Sequence, residues 1–323
     1  MKKEGKYLIY NTPRQRKTIK QAIKYMLYVA YFALCKVILM FYRPRRKQAV
    51  KYNTTICAIF KNEGPYLKEW IEYHKLVGVE HFYLYNNNSD DNYLEILKPY
   101  IEEGSVDLID WPEAHAQMAA YRNCIERFAS DSEWIGFIDL DEFVVPKEEE
   151  SIPAFLKRFA HRPAVMIYWK MYGSSGRVDR DLKGLVTEDF TVCWGKHTDT
   201  GKCFYNTAYR FAAESKRNDV FMHIFWTKIG ALTIPPVNIF DHFYMIHIRD
   251  IIDSKQFPIQ INHYVIKSYR EYIERMKRGD ALEKINPRNK KEFCYHDMLC
   301  NSTDYSIYRY LLQLKLLCDH MKE

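Results

Sequence analysis

Between residues 55 and 172, short apolar runs of strand length alternate with longer amphipathic runs, and this alternation restricts the fold more than any other feature. Residues 55–60 (TICAIF) read as a short buried strand. Gly64 and Pro65 open a helix, because proline suits the first helical turn. Its apolar face is Leu67, Trp70, Ile71 and Val77, and Gly78 stops it. A strand over 81–85, a polar loop at 86–90 (NNNSD) and a helix over 93–101 follow. Strand 106–111, helix 117–128, strand 134–139, helix 152–159 and strand 165–172 complete the series. Such alternation implies an α/β sheet, largely parallel and flanked by helices. Loop signals at 173–176 (GSSG) and at Pro235 and Pro236 interrupt the next stretch. Beyond His263 the chain turns helical, over 269–278 and 305–321.

Charge divides the chain unevenly. The net charge is +7, but residues 1–51 alone carry +13, with Glu4 their single acid, and the remainder is −6. A nucleic-acid enzyme concentrates positive charge around its site. Here the charge sits outside the alternating segment, which excludes nucleic acid as the partner. Residues 22–42 are almost all apolar or aromatic, broken by Lys24 and Lys36. They are flanked by Arg14, Arg16, Lys17 and Lys20 before and by Arg43, Arg45, Arg46 and Lys47 after. No small-residue cleavage site follows, which argues against a cleaved signal peptide. A spanning helix needs about 20 clean apolar residues, and Lys36 lies too deep to snorkel. The expectation is a helix lying on an anionic membrane surface, with residues 14–47 in contact and the protein peripheral on the cytoplasmic side. The alternative is a helix docked on the protein's own body. Eight scattered cysteines form no CxxC pair and suit a reducing cytosol. The organisation expected is a basic arm (1–51), a catalytic domain (52–265) and a helical extension (266–323).

The run FIDLDEF at 137–143 ends a buried strand in two carboxylates, Asp139 and Asp141. In sheets of this class ligands bind beyond the carboxyl ends of the strands. Two acids placed there are costly unless a cation neutralises them. Oxygen ligands select Mg²⁺ or Mn²⁺, which in turn hold a diphosphate.

FKNE at 60–63, LKEWIEYHKLVGV at 67–79, YLYNNNSD at 83–90 and WIGFIDLDEF at 134–143 together resemble glycosyltransferase family 92. YGSSG at 172–176, NHYVIKS at 262–268 and RG at 278–279 continue the resemblance in family order. It implies a bacterial-like member with a GT-A fold, a Rossmann-like mixed sheet flanked by helices, acting on a nucleotide-sugar, most often a UDP-sugar. The acceptor implied is a glycan or glycolipid, of the kind met in lipopolysaccharide or capsule assembly. Asp139, Asp141 and His263 would hold the metal. Asp139, Asn62, Glu63, Asn86, Asn88, Asp90 and Arg122 would contact the donor, Arg122 by a bidentate hold on the diphosphate. If the enzyme inverts, a carboxylate must deprotonate the acceptor, and Asp181 and Glu188 are the candidates, ahead of Asp179 and Asp189. Two other readings compete. A phosphohydrolase of the haloacid dehalogenase type also uses a strand ending in DxD, but at its first strand. A membrane-bound adaptor with a decayed transferase fold would have lost Asp139, Asp141 or His263.

Overall fold

The order in which strands join the sheet decides where a site can form. In a computed structural model, residues 5–10, 18–44, 49–213, 221–245, 251–278 and 288–318 are described. Arg14, Arg16, Lys17, Arg45, Arg46, Lys47, Gly279 and residues 319–321 of the last expected helix lie outside them. The elements run β1 (Leu8–Ile9), α1 (Ile19–Phe41), β2 (Tyr52–Phe60), α2 (Gly64–Leu76), β3 (His81–Asn86), α3 (Tyr93–Glu102), β4 (Val106–Asp110), α4 (Gln117–Phe128), β5 (Ser132–Phe137), β6 (Glu142–Pro146), α5 (Ile152–Lys157) and β7 (Ala164–Met171). There follow α6 (Val186–Asp189), β8 (Val192–Trp194), β9 (His197–Thr198), β10 (Gly201–Asn206), β11 (Arg210–Phe211), β12 (Thr227–Ile229), β13 (Leu232–Ile234), β14 (Val237–Asn238), β15 (Ile259–His263), α7 (Tyr269–Arg278), α8 (Lys290–Met298), β16 (Cys300–Thr303) and α9 (Leu311–Leu317).

The main sheet runs β4-β3-β2-β5-β10-β7-β15-β6, with β14 beside β7. Strands β4, β3, β2 and β5 are parallel to one another. The chain steps outward from β2 through β3 to β4, then returns to the other side of β2 as β5. The strand order therefore reverses between β2 and β5, and the carboxyl ends there border a crevice. Beyond β5 the sheet is mixed: β10 is antiparallel to both β5 and β7, and β15 is parallel to β7 but antiparallel to β6. The predicted strands and helices of the first half all form. Strands β6, β10 and β15, which make the sheet mixed rather than parallel, and helix α8 are additions that periodicity did not reveal.

Local chemistry explains the joints. β2 is buried from Thr54 to Phe60, as a central strand covered on both faces must be. α2 begins with Gly64 and Pro65 and ends before Gly78, which adopts φ +94°. Gly201 is dictated by close approach, since a Cβ there would lie 1.7 Å from the Ile167 carbonyl oxygen on β7.

Described parts of the first 51 residues engage the body through β1 and α1. β1 pairs in parallel with β9, and Leu8 is buried in the main core. In α1, Tyr31, Cys35 and Leu39, four residues apart, dock on Tyr209, Ile234 and Phe243. Tyr28 and Phe32 pack against the main core, whereas Ile23, Met26, Leu27, Val29, Leu34, Val37 and Met40 stay exposed. By length and composition, Ala22–Phe41 could also cross a membrane. The extension after residue 266 is bound in likewise, since β16 pairs with β8. All eight cysteines are free thiols.

Two histidines are built in as neutral rings. Fully buried His74 on α2 bonds the Trp70 carbonyl through Nδ1 and accepts the Val144 N–H of β6 at Nε2. His197 on β9 stacks on Phe257 and bonds Gln260 Oε1. Burial lowers both to about 3, from an ordinary 6.5. The unfolded chain thus takes up protons below about pH 6.5 that the folded chain refuses, and stability is fully present above that pH and lost toward pH 3. Each ring is expected to remove up to about 1.4 kcal/mol per pH unit across this window. Urea melts at pH 7.5 and 5.5 should show the decline, and His74→Gln should flatten it. An unchanged pH slope in that variant would contradict the assignment.

Candidate functional site

Asp139 leaves the end of β5, and a tight turn closed by Glu142 N–H to the Asp139 carbonyl (3.0 Å) starts β6. The Trp70 indole of α2 donates to the carbonyls of Asp139 (3.1 Å) and Glu142 (2.9 Å) and pins both ends of that turn. β15 pairs with β6 so that His263 lies directly opposite Glu142, and Tyr264 N–H bonds the Asp141 carbonyl. Asp139, Asp141, Glu142 and His263 are thus fixed by backbone pairing at the edge where the strand order reverses.

Asp139 and Glu142 share one cation, and Asp141 has another. Lys202, buried on β10, donates to Asp139 Oδ2 at 2.7 Å and stands 3.6 Å from Glu142 Oε2. Gln117 and Tyr121 of α4 donate to Asp139 Oδ1, and the Asp139 N–H donates to Glu142 Oε2. Trp169 of β7 donates its indole N–H to Glu142 Oε1 at 2.8 Å. Asp141 Oδ2 accepts from Arg275 Nη1 of α7 at 2.5 Å and lies 3.5 Å from His263 Nε2.

These contacts set the protonation tendencies. Burial alone would raise Asp141, but the charge of Arg275, then His263 and Lys267, carries it well below the usual carboxylate range. For Glu142, burial, assisted by the neighbouring carboxylates, outweighs Lys202 and holds it well above that range. Burial pulls Lys202 down, yet Asp139 and Glu142 more than offset this and raise it.

Beside Asp141 opens a cavity of about 250 Å³ lined by Asn62, Glu63, Tyr66, Lys267, Glu271 and Arg275, among others. Asn62 and Lys267 both adopt left-handed backbone, φ 52° and 49°, a strained choice found where function constrains the chain. Lys267 is buried, with its ammonium 4.1 Å over the Tyr66 ring, and burial lowers its pKa despite the nearby Glu63 and Asp141.

The residues singled out from sequence divide accordingly. Asp141 and His263 come together, while Asp139, at the start of the same turn, has its oxygens taken by Lys202, Gln117 and Tyr121. Asn62 and Glu63 line the adjoining cavity. Asp90 N–H bonds Asn62 Oδ1 (2.8 Å), so the loops after β2 and β3 are tied together. The side-chain amides of Asn86 and Asn88 hold loops, bonding Tyr93 and Asp110 in one case and the Pro112 carbonyl in the other. Arg122 turns away, toward the Ala213 carbonyl and the Phe211 and Phe221 rings. Of the candidate bases, Glu188 is held by Lys315 of α9, Asp179 by Arg270, and Asp189 by Arg177 and Arg180. Asp181 closes a local turn to Lys183 N–H, and its neighbour Leu182 lines the cavity. None of the four shares a hydrogen bond or ion pair with Asp139, Asp141 or His263 among the described residues. Sequence reasoning missed Glu142, Trp169, Lys202, Lys267 and Arg275. One signal was available: a lysine beside the apolar run Cys203, Phe204, Tyr205 is anomalous unless a carboxylate waits for it.

For a metal ion the donor chemistry fits in part. Asp141 Oδ2 and His263 Nε2 converge, and His263 Nδ1 is buried with no hydrogen-bond partner among the described residues. Asp139 does not join them, since Lys202, Gln117 and Tyr121 occupy its oxygens. Among the described residues no group of three or more His, Cys, Asp or Glu is arranged around one point. The pair suits an ion that takes two protein ligands and draws the others from phosphate and water.

The profile of glycosyltransferase family 92 matches residues 52–294, a stretch that contains every residue of this site. The chain belongs to glycosyltransferase family 92. This family 92 chain is 27% identical over 217 residues to a glycosyltransferase family 92 protein of Oryza sativa subsp. japonica, covering 66% of this chain and 33% of that protein. It is 29% identical over 128 residues to a galactan beta-1,4-galactosyltransferase of Arabidopsis thaliana, covering 36% of this chain and 25% of that one. Among solved structures, S. aureus TarS 1–349 in complex with UDP-GlcNAc superposes with a TM-score of 0.34 at 15% identity, covering 48% of this chain and 46% of that one. The chain thus spans about a third of the length of the rice relative it matches. The phosphohydrolase reading falls away: the acidic pair follows β5, the fourth strand of the sheet in chain order, in a family 92 chain.

Lys202→Met should leave Asp139 and buried Glu142 without their cation and cost about 3–5 kcal/mol. The readout is the urea midpoint at pH 7. Adding Glu142→Gln should restore part of the loss. A single variant as stable as the parent would show that charge does not hold the turn.

Proposed function

We propose that this chain is a metal-dependent glycosyltransferase of GT-A type, moving a sugar from a UDP-sugar to a hydroxyl of a glycan or glycolipid. The observation that carries the reading is the meeting of Asp141 and His263, distant in sequence, at the crevice between β2 and β5, beside a cavity walled by Arg275 and Lys267. Galactose is our choice of donor sugar, supported by the Arabidopsis relative's name, galactan beta-1,4-galactosyltransferase.

Bound Mn²⁺ or Mg²⁺ would neutralise the diphosphate and ease its departure. Asp141 and His263 would hold that ion, the imidazole favouring Mn²⁺. Lys267 and Arg275 would direct positive charge at the phosphate oxygens. Asn62 and Glu63, at the end of β2, would border the base and ribose, with Asn86, Asn88 and Asp90 shaping that rim. Trp70 and Lys202 would keep the Asp139 turn rigid while charge develops. For the acceptor proton, Asp181 is our candidate base, supported by its place next to Leu182 on the cavity wall.

The bare apolar side of α1 supports peripheral attachment to an anionic membrane on its cytoplasmic side. A lipid-carried acceptor, as in lipopolysaccharide or capsule assembly, agrees with such attachment. All charged residues of α1 are lysines, which suits acidic lipids.

Transfer from UDP-galactose should cease in EDTA and return with Mn²⁺, and Asp141→Asn should lower the rate by at least about a hundredfold. Full activity of the metal-free protein would refute the metal role. Attachment has a separate test in vesicle flotation. Replacing Met26, Leu27 and Leu34 by glutamate should release the protein from anionic vesicles without shifting its melting temperature. Equal flotation of parent and variant would remove α1 as the anchor.

A further inference from the structure

We infer that Arg275 is an exchangeable occupant of the metal position: it neutralises Asp141 in the free protein and passes to the donor's diphosphate when a divalent ion takes its place. The inference deepens the proposed function and rests on its metal site.

Three observations carry it. First, Arg275 Nη1 and His263 Nε2 approach the same oxygen, Asp141 Oδ2, at 2.5 and 3.5 Å. An ion ligated by that oxygen and that nitrogen would sit roughly 2 Å from each, so it and the guanidinium compete for one place. Second, Arg275 also forms the wall of the 250 Å³ cavity. Its guanidinium carries five N–H donors; among the described residues Nη1 donates to Asp141 and to the Val265 carbonyl. A fork already positioned at the cavity edge matches a phosphate group. Third, α7 does not depend on this contact for its place. Glu271 pairs with Arg180 and accepts from Ser268, Arg270 pairs with Asp179, and Tyr272 packs on Phe293. The exchange therefore needs a change of side-chain rotamer, not of helix position.

The physical reason for such a device lies in the burial of Asp141. A buried carboxylate without a partner is costly, so the free protein needs a cation there. A guanidinium fills the need while blocking the metal from entering alone. Metal and nucleotide then bind in mutual support, since the diphosphate supplies both ligands for the ion and a new partner for the displaced arginine.

The test is Mn²⁺ binding to the full chain, followed by calorimetry and by the electron paramagnetic resonance of free Mn²⁺, without and with UDP. In the parent, Mn²⁺ alone should bind weakly and UDP should tighten it strongly. Arg275→Gln should tighten Mn²⁺ alone by about tenfold or more, a decade being ~1.4 kcal/mol, and should weaken the enhancement by UDP. Arg275→Lys, which keeps the charge but not the fork, should leave Mn²⁺ alone weak. Arg275→Gln combined with Asp141→Asn should lose the tightening, and thermal melts would establish that each variant folds. Equal Mn²⁺ affinity of parent and Arg275→Gln, with UDP enhancement intact in both, would overturn the exchange and leave the metal reading standing. Absence of Mn²⁺ binding in every variant, even with UDP, would overturn both.

Discussion

Lys202 reaches from β10 to the carboxylates of the turn that follows β5, and its ammonium is sealed from water. Removing a charge from water costs several kcal/mol after relaxation. Here that cost is offset because Asp139 and Glu142 face the same nitrogen and have their remaining lone pairs filled by Gln117, Tyr121, Trp169 and a backbone N–H. The arrangement works only if β10 runs antiparallel beside β5, which brings Lys202 level with the strand end. Gly201 permits that approach, since any side chain there would strike the Ile167 carbonyl. Sheet topology, a glycine and a buried lysine thus form one constraint, and the acidic turn inherits its shape from it.

The two aspartates of the turn consequently divide their work. Asp139 is enclosed by fixed donors and behaves as part of the frame. Asp141 is buried behind the cavity wall, with a histidine and the wall residue Arg275 at one oxygen. Its low pKa keeps it charged through the neutral range. Only Asp141 offers an oxygen whose present partner sits on a side chain bordering open space. A reading that treats the two acids of DxD as equivalent ligands overlooks that their environments have already separated them.

Much of this was legible in the sequence, and the reasons are local. β2 to β5 and the helices between them announce themselves because a strand period and a helix period alternate cleanly, with Gly64-Pro65 and Gly78 as punctuation. Asp139 and Asp141 are visible because two acids at the end of an apolar strand are anomalous. His263 was visible only through the family resemblance. The rest is non-local. Strands β6, β10 and β15 are short, and their partners lie far along the chain, so no period of their own marks them. Glu188 looked like an available base until Lys315 was seen beside it. Arg122 looked like a phosphate ligand until the rings of Phe211 and Phe221 took its guanidinium. An ion pair or a cation–π contact across the fold leaves no trace in spacing.

The wall that faces Asp141 differs in kind from the wall behind it. Behind the turn, Trp70, Tyr73, Phe143 and Tyr264 interlock as packed rings within the main core. In front, α7 is held by ion pairs, Arg180 with Glu271 and Arg270 with Asp179, and by a small apolar cluster of Ile266, Tyr272 and Phe293 separate from the main core. Elements with few buried apolar contacts are those that open at least free-energy cost. For the function proposed, one rigid side and one yielding side would let a bulky, charged donor enter and water be excluded. The carboxylates belong to the rigid side by backbone pairing, while Arg275 and Lys267 belong to the yielding one. Any movement of the front wall therefore changes which cations face Asp141 and leaves the turn that carries it in place.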